Sequence, residues 1–191
     1  LRELLRAYVD KGVVPGAVAV VWRGARTEIA AAGAMSFGGA PMTADAIFRL
    51  ASITKPITAA AVMCLVDDGR IGLDDPVGRW LPELADPMVV RTPASPLDDV
   101  VPATRPITVA DLLTSCAGYG FASDFSAPAV QALATVQTDG REPRRFPPPD
   151  EWMARLAKLP LLYQPGQAWL YDTCSTLQGV LVSRVTGTPL P

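Results

Sequence analysis

The sequence contains no histidine, and this absence removes several kinds of chemistry from the segment. Histidine is the usual general base near neutral pH, a frequent zinc ligand and the central member of Ser-His-Asp triads. Proton transfer within these 191 residues must therefore depend on lysine, tyrosine, aspartate or glutamate. We expect no metal site and no requirement for an organic cofactor.

Cysteine is scarce, and the three residues present are widely separated: Cys64, Cys116 and Cys174. They form neither a C-x-x-C pair nor a disulfide framework, so we predict small, buried, unreactive thiols. Cys116 is a conceivable nucleophile but is strongly disfavoured, because no histidine is present to activate it.

Excess charge and long apolar runs are also missing. A net charge of -2 provides no basic surface for phosphates, so no nucleic-acid partner is expected. The apolar runs Ala17–Trp22 and Ala59–Val66 are too short to cross a bilayer. Since the chain begins at Leu1 rather than Met, a leader could have preceded it. We favour the cytoplasm, with the periplasm and secretion left open, and the oligomeric state stays open too.

The pattern of apolar residues and turn signals predicts a mixed chain. A helix over Leu1–Lys11 precedes a hairpin of strands Ala17–Arg23 and Thr27–Gly33. Further helices are predicted over Ser52–Asp68, from Asp74 to Leu81, from the Thr108 capping box to Leu113, and over Ala127–Val136, Asp150–Leu159 and Thr173–Val185. Leu84–Pro106 is predicted to be irregular, and Thr138–Pro149 a long loop.

These elements favour an α/β (α+β) fold, with an antiparallel sheet flanked by helices beside a mostly helical region. Two strands alone do not make a stable sheet, so further strands are expected beyond this chain. Residues 1–191 are therefore interpreted as a single incomplete domain, with residues 1–50 in the sheet region and residues 51–191 mostly helical.

Ser52 and Lys55 form the most informative pair in the sequence. Three residues apart on a helix, their side chains project to the same side. A serine hydroxyl needs a neighbouring base, and a lysine kept neutral by apolar surroundings could serve. From spacing alone, an N-cap serine beside a solvent-facing lysine remains an equal alternative.

Four segments resemble the β-lactamase-like serine hydrolases, a superfamily that includes class C β-lactamases, penicillin-binding-protein-like peptidases and family VIII carboxylesterases. In chain order they are FRLASITKPITA (residues 48–59), LVDDGRIGLDDPV (65–77), ITVADLLT (107–114) and PGQAWLY (165–171), the last leading into LQG (177–179) and VTG (185–187). The resemblance runs from about Val14 to Pro191 and implies that superfamily's fold.

The resemblance implies that Ser52 is the acylated nucleophile, Lys55 its activating partner and Tyr171 the proton carrier. Without it, Tyr171 reads as an aromatic packing residue beside Trp169. The family's Tyr-x-Asn motif appears here as Tyr-Asp-Thr, which makes Thr173 the expected substrate-binding position.

Loss of the asparagine carboxamide disfavours amide substrates, so we expect hydrolysis of small carboxylic esters. A β-lactamase or D-amino-acid peptidase on the same scaffold is one alternative, and a non-catalytic binding relative is another. The superfamily's third motif would lie beyond Pro191, so the chain alone is expected to be a poor catalyst.

Overall fold

The computed structural model describes residues 1–137 and 146–190. The chain divides into two units, Leu1–Leu50 and Ala51–Pro191, each with its own internal packing. Most of the loop predicted over Thr138–Pro149 falls outside the described residues. That the chain is one incomplete domain stays a prediction.

The first unit is a helix packed on a hairpin. Helix α1 (Arg2–Asp10) precedes strands β1 (Gly16–Arg23) and β2 (Arg26–Gly33), which pair antiparallel with Val20 opposite Ile29. The hairpin prediction is confirmed to within one residue at each strand. Only Ala30 and Ala32 of the two strands are buried, so most side chains of this ribbon face solvent.

The second unit is built around its last helix. Helix α6 (Thr173–Thr186) ends at Gly187, whose left-handed backbone closes it as the sequence predicted. Helices α2 (Thr54–Asp67) and α3 (Val109–Leu113) pack against α6. Leu112, Leu177 and Leu181 are among its fully buried side chains. Helices α4 (Pro128–Val136) and α5 (Pro149–Leu156) complete the helical part.

The segment predicted to be irregular, Leu84–Pro106, contains a small sheet. Strands β3 (Met88–Val90) and β4 (Val100–Pro102) pair antiparallel, with Val89 opposite Val101. Each strand has three residues, which is too few for apolar alternation to show in the sequence. The short helix predicted before this segment is a pair of 3₁₀ turns, Val77–Arg79 and Pro82–Leu84.

The prediction that helix α2 is buried on nearly every face, which was based on its apolar composition, is wrong. Only Val62 and Leu65 are buried, because α2 contacts α6 along one side, while Ile57 and Met63 are exposed. Cys64 is exposed as well, and Cys116 is half-buried, so the prediction of buried thiols holds only for Cys174.

Two predicted helix starts have different outcomes. The Thr108 capping box is confirmed: its hydroxyl accepts from the Asp111 N–H, and the Asp111 carboxylate accepts from the Thr108 N–H. Asp150 does not cap α5, because the helix starts one residue earlier at Pro149 and the N-cap is Pro148. Across residues 1–137 and 146–190, no helix has the length and hydropathy that a bilayer span requires.

Candidate active site

Ser52 lies in a tight turn immediately before helix α2. Residues Ala51–Ile53 form a 3₁₀ turn, so the α-helix predicted to begin at Ser52 begins at Thr54 instead. Ala51 enters this turn with φ of +47°, which costs a residue with a Cβ about 1–2 kcal/mol. Strain of this kind persists only where the surrounding structure fixes it, and here it directs the chain into Ser52.

The three predicted catalytic side chains meet at the Ser52 hydroxyl. Lys55 Nζ donates to Ser52 Oγ at 3.2 Å. Ser52 Oγ lies 2.9 Å from Tyr171 Oη, a hydrogen bond between residues 119 positions apart in the chain. Lys55 Nζ is also 4.9 Å from the centroid of the Tyr171 ring. The hydroxyl therefore lies within hydrogen-bond distance of an amine on one side and of a phenol oxygen on the other.

The charge of Lys55 differs from the sequence prediction of a neutral, desolvated amine. Its Nζ forms an ion pair with Asp172 Oδ1 at 2.6 Å, with about a quarter of each side chain exposed. Desolvation is the largest single influence and lowers the pKa of Lys55. The hydrogen bond and charge of Asp172, with those of Tyr171, together outweigh it, so the pKa is raised. The surroundings of Lys55 therefore favour its ammonium form.

Asp172 was not predicted as a site residue, whereas Thr173 was. The Thr173 side chain is completely buried at the start of α6, and its substrate-binding role stays a prediction. Asp172 has φ of +84°, and this turn points its carboxylate at Lys55. The only sequence signal was the acidic residue within the altered Tyr-x-Asn motif.

Tyr171 is held by backbone pairing with a neighbouring loop. The Phe121 N–H donates to the Tyr171 carbonyl at 2.9 Å, and the Tyr171 N–H donates to the Phe121 carbonyl at 3.1 Å. Gly120, with φ of +146°, permits this approach, since a Cβ there would lie 2.6 Å from the Leu170 Cβ and 2.8 Å from the Tyr171 carbonyl oxygen. Tyr171 also lies beside Trp169, with ring centroids 6.1 Å apart.

We expect Gly120→Ala to move Tyr171 away from Ser52. A misplacement of about 1 Å costs about 100-fold in rate, so ester turnover by the complete protein should fall by that order. The matched control is Gly69→Ala, because Gly69 has φ of +67° but open space around its Cβ direction. Gly69→Ala should lower the melting temperature with little change in turnover. Equal turnover in both variants would contradict the positioning role of Gly120.

Among the residues that the structure describes, no group of three or more histidine, cysteine, aspartate or glutamate side chains could hold a metal ion. The arrangement around Ser52 Oγ suits transfer of its proton, with the Lys55 amine beside it. That is the chemistry of nucleophilic catalysis by an activated serine.

The chain matches known proteins over its whole length. A family description named Beta-lactamase matches residues 1–191. Protein Rv1367c of Mycobacterium tuberculosis is 39% identical over 193 residues, spanning 97% of this chain and 45% of that protein. Esterase EstB of Burkholderia gladioli is 40% identical over 152 residues, spanning 80% of this chain and 36% of EstB.

A solved structure shows the same fold. The structure titled EstCE1, a hydrolase with promiscuous acyltransferase activity, superposes with a TM-score of 0.76 at 26% identity, covering 99% of this chain and 47% of that one. The chain thus spans about half the length, or less, of the proteins it matches. With a family match over its full length and a shared mixed α/β fold, this chain belongs to the β-lactamase family of serine hydrolases and related acyl-transfer enzymes.

Proposed function

We propose that this chain carries the nucleophile of a serine hydrolase that forms an acyl-enzyme on Ser52 and hydrolyses small carboxylic esters. The observation that carries the proposal is the hydroxyl of Ser52 lying between Lys55 Nζ at 3.2 Å and Tyr171 Oη at 2.9 Å. A buried packing role for Tyr171 would not require this contact, and the side chain is 43% exposed.

The direction of proton transfer follows from the donors available. A lysine ammonium has three donors and no acceptor, so Lys55 can donate to Ser52 Oγ but cannot take its proton. The oxygen of Tyr171 is then the acceptor. Lys55 contributes electrostatically, because its positive charge faces both the Ser52 oxygen and the tyrosine ring.

Ester hydrolysis proceeds in two balanced steps in this scheme. Ser52 Oγ bonds to the acyl carbon as its proton passes to the phenolate form of Tyr171, and the ester C–O bond breaks as Tyr171 returns that proton to the leaving alkoxide. Water then attacks the acyl-enzyme by the reverse proton path and releases the carboxylic acid. The Ser52 backbone N–H, at the turn before α2, is assigned to the developing oxyanion.

An ester substrate is favoured over an amide by the site itself. The family's asparagine position is Thr173, which is buried, and the neighbouring position presents the carboxylate of Asp172 to Lys55. Neither offers the carboxamide that would bind an amide. The esterase named at 40% identity supports the same choice.

The test compares two substrates and one covalent probe on the complete protein. We expect a larger kcat/KM for p-nitrophenyl butyrate than for nitrocefin, and covalent labelling by a fluorophosphonate. Preference for nitrocefin would replace the ester assignment with a β-lactamase. Absence of any adduct on the folded protein would favour a non-catalytic binding relative.

A further inference from the structure

We propose that Asp172 is a positioning residue of this site, which holds the Lys55 ammonium against Ser52 and is itself held by Gln137. The inference rests on the proposed function, because it assigns to Asp172 an effect on the same serine. The inference adds the ion pair between Asp172 and Lys55 to the scheme of Ser52, Lys55 and Tyr171.

The Asp172 carboxylate is held at both oxygens. Oδ1 accepts from Lys55 Nζ at 2.6 Å, and Oδ2 accepts from Gln137 Nε2 at 2.7 Å. Gln137 is buried at the end of α4, where its amide also lies 3.4 Å from the Thr176 hydroxyl. A carboxylate bound at both oxygens has little freedom to rotate, so the position of Lys55 Nζ is fixed along with it.

The backbone at Asp172 is strained in a way that serves this contact. Its φ and ψ of +84° and −64° are those of a γ-turn with positive φ, and the Thr173 N–H reaches the Tyr171 carbonyl at 3.3 Å. Conformations of this kind cost about 1–3 kcal/mol in a residue with a side chain. The turn points the carboxylate of Asp172 at Lys55.

Asp172 also does not make the bond that its place in the helix would allow. It is the N-cap of α6, where an aspartate usually accepts from a backbone N–H of the first turn. No such side-chain bond forms here. The carboxylate is directed to Lys55 and Gln137 instead, at the expense of helix stability. The Asp172 carboxylate thus contributes its contacts to the site and none to the end of the helix.

The charge of Asp172 acts on the reaction through Lys55. Asp172 and Tyr171 are the titratable groups that face the ammonium, and both favour its charged form. The positive charge beside Ser52 Oγ is present only while the ammonium keeps its proton. Without the Asp172 charge, Lys55 would lose its proton at a lower pH, so the alkaline limit of the serine's reactivity should move to lower pH.

The first variant, Asp172→Asn, removes the carboxylate charge and keeps the shape of the side chain. In Asp172→Asn the carboxamide oxygen can still accept from Lys55, while its NH₂ group would face Gln137. The Gln137 Oε1 atom is buried and has no hydrogen-bond partner among the described residues, so rotation of this amide supplies the acceptor needed. Asp172→Asn is therefore expected to fold normally.

The experiment measures the rate at which a fluorophosphonate labels Ser52 of the complete protein, as a function of pH. For Asp172→Asn we expect slower labelling and an alkaline limb displaced to lower pH. For Asp172→Ala, which also releases Lys55 Nζ, we expect a loss of about 100-fold. Gln137→Ala should slow labelling without displacing the limb, because the carboxylate charge remains.

Asp99→Asn is the matched control. Its carboxylate accepts from Arg91 at 2.8 Å and is also partly exposed, but it takes no part in the Ser52 site. It should leave both the rate and the pH profile unchanged. Melting temperatures of all variants separate loss of folding from loss of positioning.

The outcomes distinguish this inference from the function on which it rests. If both Asp172 variants label at the wild-type rate and with the wild-type pH profile, the positioning role of Asp172 is overturned. Labelling of Ser52 in those variants would still support the hydrolase. Failure of the folded wild-type protein to label at all would overturn the hydrolase and the positioning role together.

Discussion

Ser52→Ala is expected to abolish covalent labelling and to lower kcat for ester hydrolysis by about 10⁴- to 10⁶-fold. Losses of this order follow removal of a serine nucleophile in other hydrolases, with the remaining rate due to substrate binding and oxyanion stabilisation. The hydroxyl oxygen is the atom that bonds to the acyl carbon, and no neighbouring group in the described site can replace it. The fold should be unaffected, because the side chain of Ser52 is exposed.

Mass spectrometry locates the adduct directly. Trypsin cleaves after Arg49 and Arg70 but not between Lys55 and Pro56, so the nucleophile lies on the single peptide spanning residues 50–70. Fragment ions separate Ser52 from Thr54 and Thr58 on that peptide. Ser123→Ala, at an exposed serine, is the matched control and should label at the wild-type rate. An adduct on any residue other than Ser52 would contradict the assignment.

Lys55→Ala and Tyr171→Phe should each lower kcat by about 10²- to 10⁴-fold, the usual contribution of a positioned proton-transfer group. Lys55→Ala removes the positive charge beside Ser52 Oγ and leaves the Asp172 carboxylate without its partner. Tyr171→Phe keeps the ring and its packing but removes the oxygen 2.9 Å from the nucleophile. The measurement is kcat for p-nitrophenyl butyrate at several pH values.

Because Lys55 and Tyr171 act on one hydroxyl, the losses in kcat from the two substitutions should not add. The double variant should be about as slow as the slower single variant, as found for catalytic groups that act as a unit. Lys158→Ala is the control, since Lys158 is the other lysine of residues 51–191 and is exposed. Fully additive losses would indicate that Lys55 and Tyr171 influence the reaction independently.

The sequence predicted those features that depend on neighbouring residues. The hairpin, the Thr108 capping box and the glycine end of α6 all follow from short-range patterns, and all three are present. The approach of Tyr171 to Ser52 was predicted only through the family resemblance, because no local pattern connects residues so far apart in the chain.

The ionisation of Lys55 could not be predicted in the same way. Apolar neighbours in sequence suggested a neutral amine, but the partner that raises its pKa lies on a distant turn. The contact of Asp172 with Lys55 depends on a positive φ at a non-glycine residue, which composition does not reveal. Where tertiary contacts set the charge and direction of a side chain, local sequence carries little information.

The packing of α2 against α6 connects the candidate site to one helix interface. Ser52 precedes α2 and Tyr171 precedes α6, so the distance between the Ser52 hydroxyl and the Tyr171 phenol depends on how these two helices pack. In the proposed mechanism, separation of α2 from α6 would part the serine hydroxyl from the phenol and stop proton transfer between them. Because both helices contribute side chains to the main hydrophobic core, such an opening would disturb much of the second unit.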